Sequence, residues 1–391
     1  MFWNKFSTSI RDIIWPTASM VIGIDIGTTK VSAVVTRIEN GNKKILGIGA
    51  VPFNGCKWSG DIIIANIQQA IYEVCRQSGL IKGSIPNTVV IGVSDINSGC
   101  NTVGIVPFNN KVGKKDIRRA LQASTAMEIS DGMAVLDAVV QEYKIDYQDG
   151  VTEDLTGIVH PLGMPGKRLE AWSHVLIARR DMLEVVTSAC KLSGIIKHRI
   201  TSSSLASAMA LLSNDDMQQG ACLLDIGGEY TYVIIYKSGQ LVYTASMPWG
   251  GNYLTSCIAL HLGVDKNDAE KLKMAFSERL ATNPMDEQAM VIGALLAEKL
   301  GELCDLMDSE LLKSEPNVKN DLKAGIVLTG GTSRLPGLHE IIANKFNLPV
   351  RSGVFQEPDC KENVPLEYAS AAGLALYMSQ TAKIWNEFKT T

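Results

Sequence analysis

Three short stretches place carboxylates, hydroxyls and glycines at the ends of apolar runs, a combination suited to holding a phosphorylated ligand. They are Asp25-Ile26-Gly27-Thr28-Thr29-Lys30, Asp225-Ile226-Gly227-Gly228-Glu229-Tyr230-Thr231 and Val327-Leu328-Thr329-Gly330-Gly331-Thr332-Ser333-Arg334. In the first two, an Asp-x-Gly turn after a buried strand makes a hairpin whose backbone N–H groups can hold phosphate oxygens. Asp25 and Asp225 would repel phosphate directly. They suit Mg²⁺ held through its waters, because this ion keeps much of its hydration shell. Thr28, Thr29 and Lys30 can donate to phosphate, and Gly227 and Gly228 leave room for it. Gly330, Gly331 and Ser333 would let the third turn lie against an adenosine. One such turn is a weak signal, but the ordered trio predicts an α/β, two-lobed ATP-binding fold with the ligand between the lobes.

Other phosphate motifs do not fit. No GxxxxGK[ST] loop occurs, and no GxGxxG opens a helix. Glu229 and Tyr230 stand where small residues would be easiest, and a carboxylate beside a polyphosphate is repulsive unless Mg²⁺ intervenes. Reduced affinity or turnover is therefore expected of the second turn. No catalytic residue stands out. Asp181 and Glu184 open a helix and could face a γ-phosphate, but first-turn acids are also favoured there by the helix dipole alone.

The turns need rigid elements behind them. The apolar runs 21–24, 221–224 and 325–328 read as buried strands. Segments 21–36 and 44–52 read as paired strands joined by a turn at 40–42. Segments 221–236 and 240–247 repeat the strand–turn–strand pattern, as a duplicated ancestral domain would. Helices are expected at 62–78, 115–127, 181–193, 203–212, 252–262, 285–312, 335–346 and 365–380, and strands at 87–93, 101–106 and 168–178.

Composition bounds the remaining possibilities. The chain has 391 residues, 46% hydrophobic and 20% charged, with a net charge of −4, which argues against nucleic acid as a main partner. Lys111, Lys114, Lys115, Arg118 and Arg119 form the densest basic patch and read as the charged face of a helix. The eight cysteines are scattered without a CxxC pair, so zinc is not expected, and the five histidines form no ligand motif. With no signal peptide, reduced thiols in the cytoplasm are the simple expectation.

At the front of the chain, Phe2, Trp3, Phe6, Ile10, Ile13 and Ile14 fall within an arc of roughly 120° at helical spacing. Lys5 and Arg11 lie beside the stripe and Pro16 ends it. This predicts an interfacial helix, too short and polar to span a bilayer, that binds membrane or alternatively a partner. One copy would hold weakly, whereas a polymer would hold by avidity.

The three turns together resemble the actin, sugar-kinase and heat-shock ATPase superfamily. Within it, Gln141–Gly150 and Pro161–Ala171, with Pro248-Trp249-Gly250-Gly251-Asn252, Asp268–Lys273 and Tyr368–Tyr377, resemble the FtsA family of bacterial cell-division actins. The resemblance implies an actin-like, ribonuclease H-like duplicated fold with the extra subdomain of that family. It divides the chain into a front helix (1–19), first-lobe core (20–97), extra subdomain (98–178), second-lobe core (179–258), outer subdomain (259–324), adenosine segment (325–352) and a return to the first lobe (353–391). It also implies that Glu270 and Lys273 contact ribose or base. The expected activity is that of an ATP- and Mg-binding protein with at most slow ATPase activity. It would polymerise at the division site, on the cytoplasmic face of the inner membrane, and tether the tail of the tubulin-like FtsZ and other division proteins. Two departures stand out. The segment from Lys273 to Ala324 is short and lacks room for the β-hairpin expected in the FtsZ-binding subdomain. The C-terminus offers only Ile384, Trp385 and Phe388 as an apolar cluster. A cytoskeletal filament or adaptor outside division is the alternative. A sugar kinase, a third possibility, would need a catalytic base.

Overall fold

The computed structural model describes residues 19–39, 42–53, 60–77, 88–94, 96–147, 153–195, 198–315 and 317–376. The front helix with its six apolar residues, the turn residues 40–41 and the cluster at 384–388 lie outside the described residues. Two compact units are present: residues Met1–Leu211 with Gln240–Thr244 and Phe355–Thr391, and residues Leu212–Gly239 with Ala245–Val354.

The first unit is built on β1 (Ser19–Ile26), β2 (Lys30–Glu39), β3 (Asn42–Pro52), α1 (Gly60–Gln77) and β4 (Thr88–Val93). Strand β1 is apolar along both faces, and Val21, Ile22, Ile24 and Ile26 are all buried, as in a central strand covered on both sides. One cover is α1, whose Ile63, Ile67, Ala70 and Val74 recur at helical spacing and join the core beneath β1. The other includes Ala206 and Leu374. Gly23 lets residues 369–376, which are helical, approach β1 closely: a Cβ there would strike the Ala371 carbonyl and, at 2.5 Å, the Ala375 nitrogen.

An insertion follows, consisting of β5 (Ile96–Pro107), α2 (Lys114–Thr125), β6 (Met133–Asp146), β7 (Leu155–Ile158) and β8 (Arg168–Arg179). Its strands run in the order β5-β8-β6-β7. Helix α2 covers one face, packing Ile117 and Ala120 on Val106, Tyr143, Ile145, Leu169 and Ala171. The chain continues with α3 (Arg180–Leu192), β9 (His198–Ser202) and α4 (Ser203–Leu211).

Residues 179–211, expected to open the second lobe, belong to the first unit. The reason is pairing that spacing alone does not reveal. Strand β9 lies parallel to β4, with Gly92 opposite Thr201, and completes a sheet ordered β3-β2-β1-β4-β9.

The second unit contains α5 (Asn214–Gln219), β10 (Ala221–Ile226), β11 (Thr231–Lys237) and the end of β12 (Gln240–Met247). Helices α6 (Gly251–Leu262), α7 (Lys266–Thr282), α8 (Glu287–Ser314) and α9 (Val318–Asp321) follow, then β13 (Gly325–Thr329), α10 (Leu338–Phe346) and β14 (Val350–Ser352). Strand β10 is antiparallel to β11 and parallel to β13, which is parallel to β14. Among the described residues, 259–324 form helices and loops without a strand.

Candidate functional site

The two Asp-x-Gly turns have the same local form. Asp25 stands opposite Ser32 on the antiparallel neighbour and Gly92 on the parallel one. Asp225 stands opposite Tyr232 and Thr329 in the same roles. Gly27 N–H donates to the Lys30 carbonyl at 3.0 Å, and Gly227 N–H donates to the Tyr230 carbonyl at 3.0 Å. The internal repetition inferred from spacing is thus present in strand order, register and turn.

In the first unit Asp25 is buried and accepts a 2.6 Å hydrogen bond from Ser203 Oγ. Burial pushes its carboxyl above the usual range, while Ser203 and the charge of Lys30 pull the other way. The sequence did not single out Ser203, because it arrives through the β4–β9 pairing, 178 residues along the chain from Asp25. Thr28 is half-buried and Thr29 exposed. Lys30, expected to donate to phosphate, donates instead to the Glu367 carbonyl at 2.7 Å and lies over the Tyr368 ring at 4.7 Å. The return of the C-terminal segment to this unit supplies both partners.

In the second unit three loops interlock. The carbonyls of Gly227 and Gly228 accept the N–H groups of Gly251 and Asn252 at 3.0 and 2.7 Å, so the second Asp-x-Gly turn caps the N-terminus of α6. Gly250 is obligatory there, since a Cβ would lie 2.5 Å from the Gly228 carbonyl oxygen. Thr332 Oγ1 donates to the Gly227 carbonyl at 2.9 Å, tying the third turn to the second. Gly330 has φ +85°, and its Cβ would strike the Ile226 carbonyl and lie 2.7 Å from Asp225 Oδ1. Gly331, by contrast, is exposed with open space around its Cα. Ser333, expected to face the ligand, is buried and donates to the Gly330 carbonyl at 2.7 Å, which holds the turn's shape. Thr329 is 1% exposed and its Oγ1 has no hydrogen-bond partner within the protein.

Glu270 and Lys273 lie one helical turn apart on α7 and pair at 2.7 Å. Lys273 is buried and also donates to the Gly251 carbonyl at 3.0 Å and to Thr255 Oγ1 at 2.9 Å. Thr255 donates in turn to Glu270. The lysine therefore braces the start of α6, and the half-exposed Glu270 carboxylate forms the outer side of the cluster. Gly250 and Gly251, part of the Pro248–Asn252 motif, and Thr332 of the third turn join this candidate site, together with Thr255, which spacing alone does not single out. Asp181 and Glu184, considered for water activation, are both exposed on α3. Among the described residues no group of His, Cys, Asp and Glu side chains forms a metal-binding cluster.

Comparison with known proteins identifies the class. The PilM–PilN type IV pilus biogenesis complex matches over 91% of this chain and 98% of its own, with a TM-score of 0.60 and 17% identity. MreB5 of Spiroplasma citri bound to ADP matches over 94% and 98%, with a TM-score of 0.55 and 13% identity. The fold is therefore two-lobed and actin-like. The family described as cell division protein FtsA matches residues 222–373, and the SHS2 domain inserted in FtsA matches residues 94–177, the insertion that carries β5 to β8. The curated FtsA of Pseudomonas aeruginosa is 30% identical over 92% of this chain and 89% of its own length; that of Neisseria meningitidis is 31% identical over 85% and 83%. The chain belongs to the FtsA family of actin-like cell-division proteins.

Proposed function

We propose that the protein binds ATP with Mg²⁺ and acts as a membrane-associated, polymerising scaffold of bacterial cell division. The carrying observation is the pair of matching Asp-x-Gly turns, the second locked to the third glycine turn by the bond from Thr332 to Gly227. The donor set fits Mg-nucleotide. Gly250 and Gly330 let the three backbone turns approach one another closely, Gly331 has open space at its Cα, and Thr329 offers a buried, unpartnered hydroxyl beside Asp225. Asp25 and Asp225 would hold Mg²⁺ through its waters, as hard oxygen ligands suit that ion. The backbone around Gly27, Gly227 and Gly228 would hold phosphates, and the exposed Gly331 with Glu270 would meet the nucleoside. When bound, the metal would offset phosphate charge. The chain's own residues shape the site and orient the carboxylates.

No described helix is long and apolar enough to cross a membrane. Attachment would rest on the apolar stripe of Phe2, Trp3, Phe6, Ile10, Ile13 and Ile14, multiplied by polymerisation. The polymer would occupy the cytoplasmic face of the inner membrane at the division site and tether other division proteins, FtsZ through its C-terminal tail among them. A filament or adaptor outside division, with reduced nucleotide turnover, is the second reading. It is favoured by Glu229 and the exposed Tyr230 in the second turn, and by the absence of a strand from segment 259–324 among the described residues.

The test is liposome co-sedimentation with electron microscopy, with and without Mg-ATP, for the full chain and for residues 19–391. Filaments that need Mg-ATP and coat liposomes only when residues 1–18 are present support the scaffold. Monomers under every condition overturn it.

A further inference from the structure

The insertion carries a basic cleft that neither the nucleotide turns nor the apolar front stripe accounts for. Two adjoining depressions, of about 350 and 490 Å³, share Pro107, Phe108 and Asn109 as their floor. Arg119 lines the first, and Tyr147 and Lys167 line the second. Lys111 is placed on the same rim by its bridge to Pro165. Lys114 and Lys115, both exposed, occupy the first two positions of α2 beside it.

Three features set this patch apart from an ordinary solvated helix face. First, its backbone is rigid. Phe108 N–H donates to the Lys167 carbonyl at 2.8 Å, Val112 N–H to Met164 at 2.9 Å and Gly163 N–H to Val112 at 2.8 Å, which sets the cations in a fixed frame. Second, the exposed Lys114 and Lys115 open α2 and add positive charge to the same rim, with Asp116 as the acid of that first turn. Third, the walls are mixed. Pro107 and Tyr147 give apolar surface between cations above the buried Phe108, and Asp116, the one carboxylate among the lining residues, accepts the Gly113 N–H at 3.0 Å and pairs with Arg119 at 3.6 Å.

We propose that this cleft docks an extended acidic peptide segment of a partner protein, with an apolar side chain seated against Pro107 and Tyr147 and flanking carboxylates on the exposed Lys111 and Lys167. Concavity favours this occupant over an anionic membrane. A planar headgroup layer would meet the lysine rim but leave the apolar floor empty, whereas a peptide fills both. The preset backbone lowers the ordering cost of binding on the protein side. The inference does not depend on nucleotide binding.

The experiment measures fluorescence anisotropy of a fluorescein-labelled peptide of Asp and Glu residues with one central Phe, added to the full chain. A Lys/Arg peptide with the same Phe is the sign control. Binding of the acidic peptide alone, weakening with salt, is expected, and K111E/K167E should lose about tenfold in affinity. The charge-matched variant K266E/K323E, altered on the second unit, should bind as the wild type does. These residues are exposed, so matching thermal unfolding of all three proteins verifies folding. Equal binding by the wild type and K111E/K167E overturns the proposal, as does the absence of acidic-peptide binding. Loss of sedimentation with phosphatidylglycerol vesicles by K111E/K167E, with peptide binding unchanged, overturns it in favour of a membrane contact.

Discussion

Ser203 reaches the Asp25 carboxylate across the place where Gly92 has no side chain. The bond is 2.6 Å long, and a Cβ on Gly92 would lie 2.5 Å from Ser203 Oγ. One glycine on β4 thus decides whether the buried acid of the first unit has its hydroxyl donor. In the second unit the corresponding strand position holds Thr329, beside Asp225, so the two halves arrange a hydroxyl near the acid by different routes.

Replacing Ser203 by Ala removes a bond to a buried acid and should cost about 1–3 kcal/mol. Gly92→Ala should cost a similar amount, about 1–3 kcal/mol, by forcing Ser203 and Leu374 aside. Because both changes break the same contact, the double variant should lose less than the sum of the two. Urea unfolding measures all three. Strict additivity would show that Gly92 and Ser203 act independently.

Adjacent glycines of the third turn should behave oppositely. Gly330→Ala places a side chain at φ +85° against the Ile226 carbonyl and Asp225, so it should destabilise the protein by about 1–3 kcal/mol and impair nucleotide binding with it. Gly331→Val meets open space and should leave the unfolding midpoint unchanged. If this turn faces the nucleoside, the same variant should weaken binding of a fluorescent ATP analogue at least about tenfold, the effect of roughly 1.4 kcal/mol of lost contact. Unchanged binding in Gly331→Val would place the nucleoside elsewhere.

The contrast between these glycines shows what the sequence made legible. The strand runs, the Asp-x-Gly turns and the third turn all appear where apolar patterning put them, because each depends on neighbours close along the chain. The parts that spacing missed are tertiary. Ser203 joins Asp25 only through the β9–β4 pairing, and the same pairing moves residues 179–211 into the first unit. The partners that Lys30 meets, the Glu367 carbonyl and the Tyr368 ring, come from the returning chain and are equally invisible to spacing. The helix expected at 335–346 begins at Leu338, because residues Gly331–Arg334 form a 3-10 turn and Gly337 takes a left-handed conformation before the helix.

Asp137 joins the insertion to the first sheet. A bulge in β6 between Val135 and Asp137 interrupts the regular pairing, and the Asp137 carboxylate accepts two bonds from Arg199 at 2.8 and 2.9 Å and one from Thr201 at 2.6 Å. Asp137→Ala takes the carboxylate away from the largely buried Arg199 and from Thr201 and should cost about 3–5 kcal/mol. An apolar pair, Asp137→Leu with Arg199→Met, should recover much of that loss. Thermal unfolding of the single and double variants checks it. A double variant no more stable than Asp137→Ala would show that the charges themselves are required there.

His174 gives the first unit a defined acid sensitivity. Its Nδ1 faces Asn101 Oδ1 at 2.7 Å and its Nε2 faces Thr244 Oγ1 at 2.9 Å, which suits a neutral ring donating to Asn101 and accepting from Thr244. Gly99 makes this possible, since a Cβ there would strike both the imidazole and the threonine hydroxyl. Burial pulls the His174 pKa from 6.5 down to about 4. Below pH 6.5 the unfolded chain therefore takes up a proton that the folded chain refuses until about pH 4. The contribution is complete above the unfolded value and is lost as pH falls through this window, on the order of 3 kcal/mol in all. His174→Gln removes the titration. In urea unfolding, the stability of the wild type relative to H174Q should shrink steadily between pH 7 and pH 5. A difference that stays constant over that range would mean that the fold leaves the His174 pKa where the unfolded chain has it, and a difference that grows as pH falls would mean that the ring is already protonated in the fold.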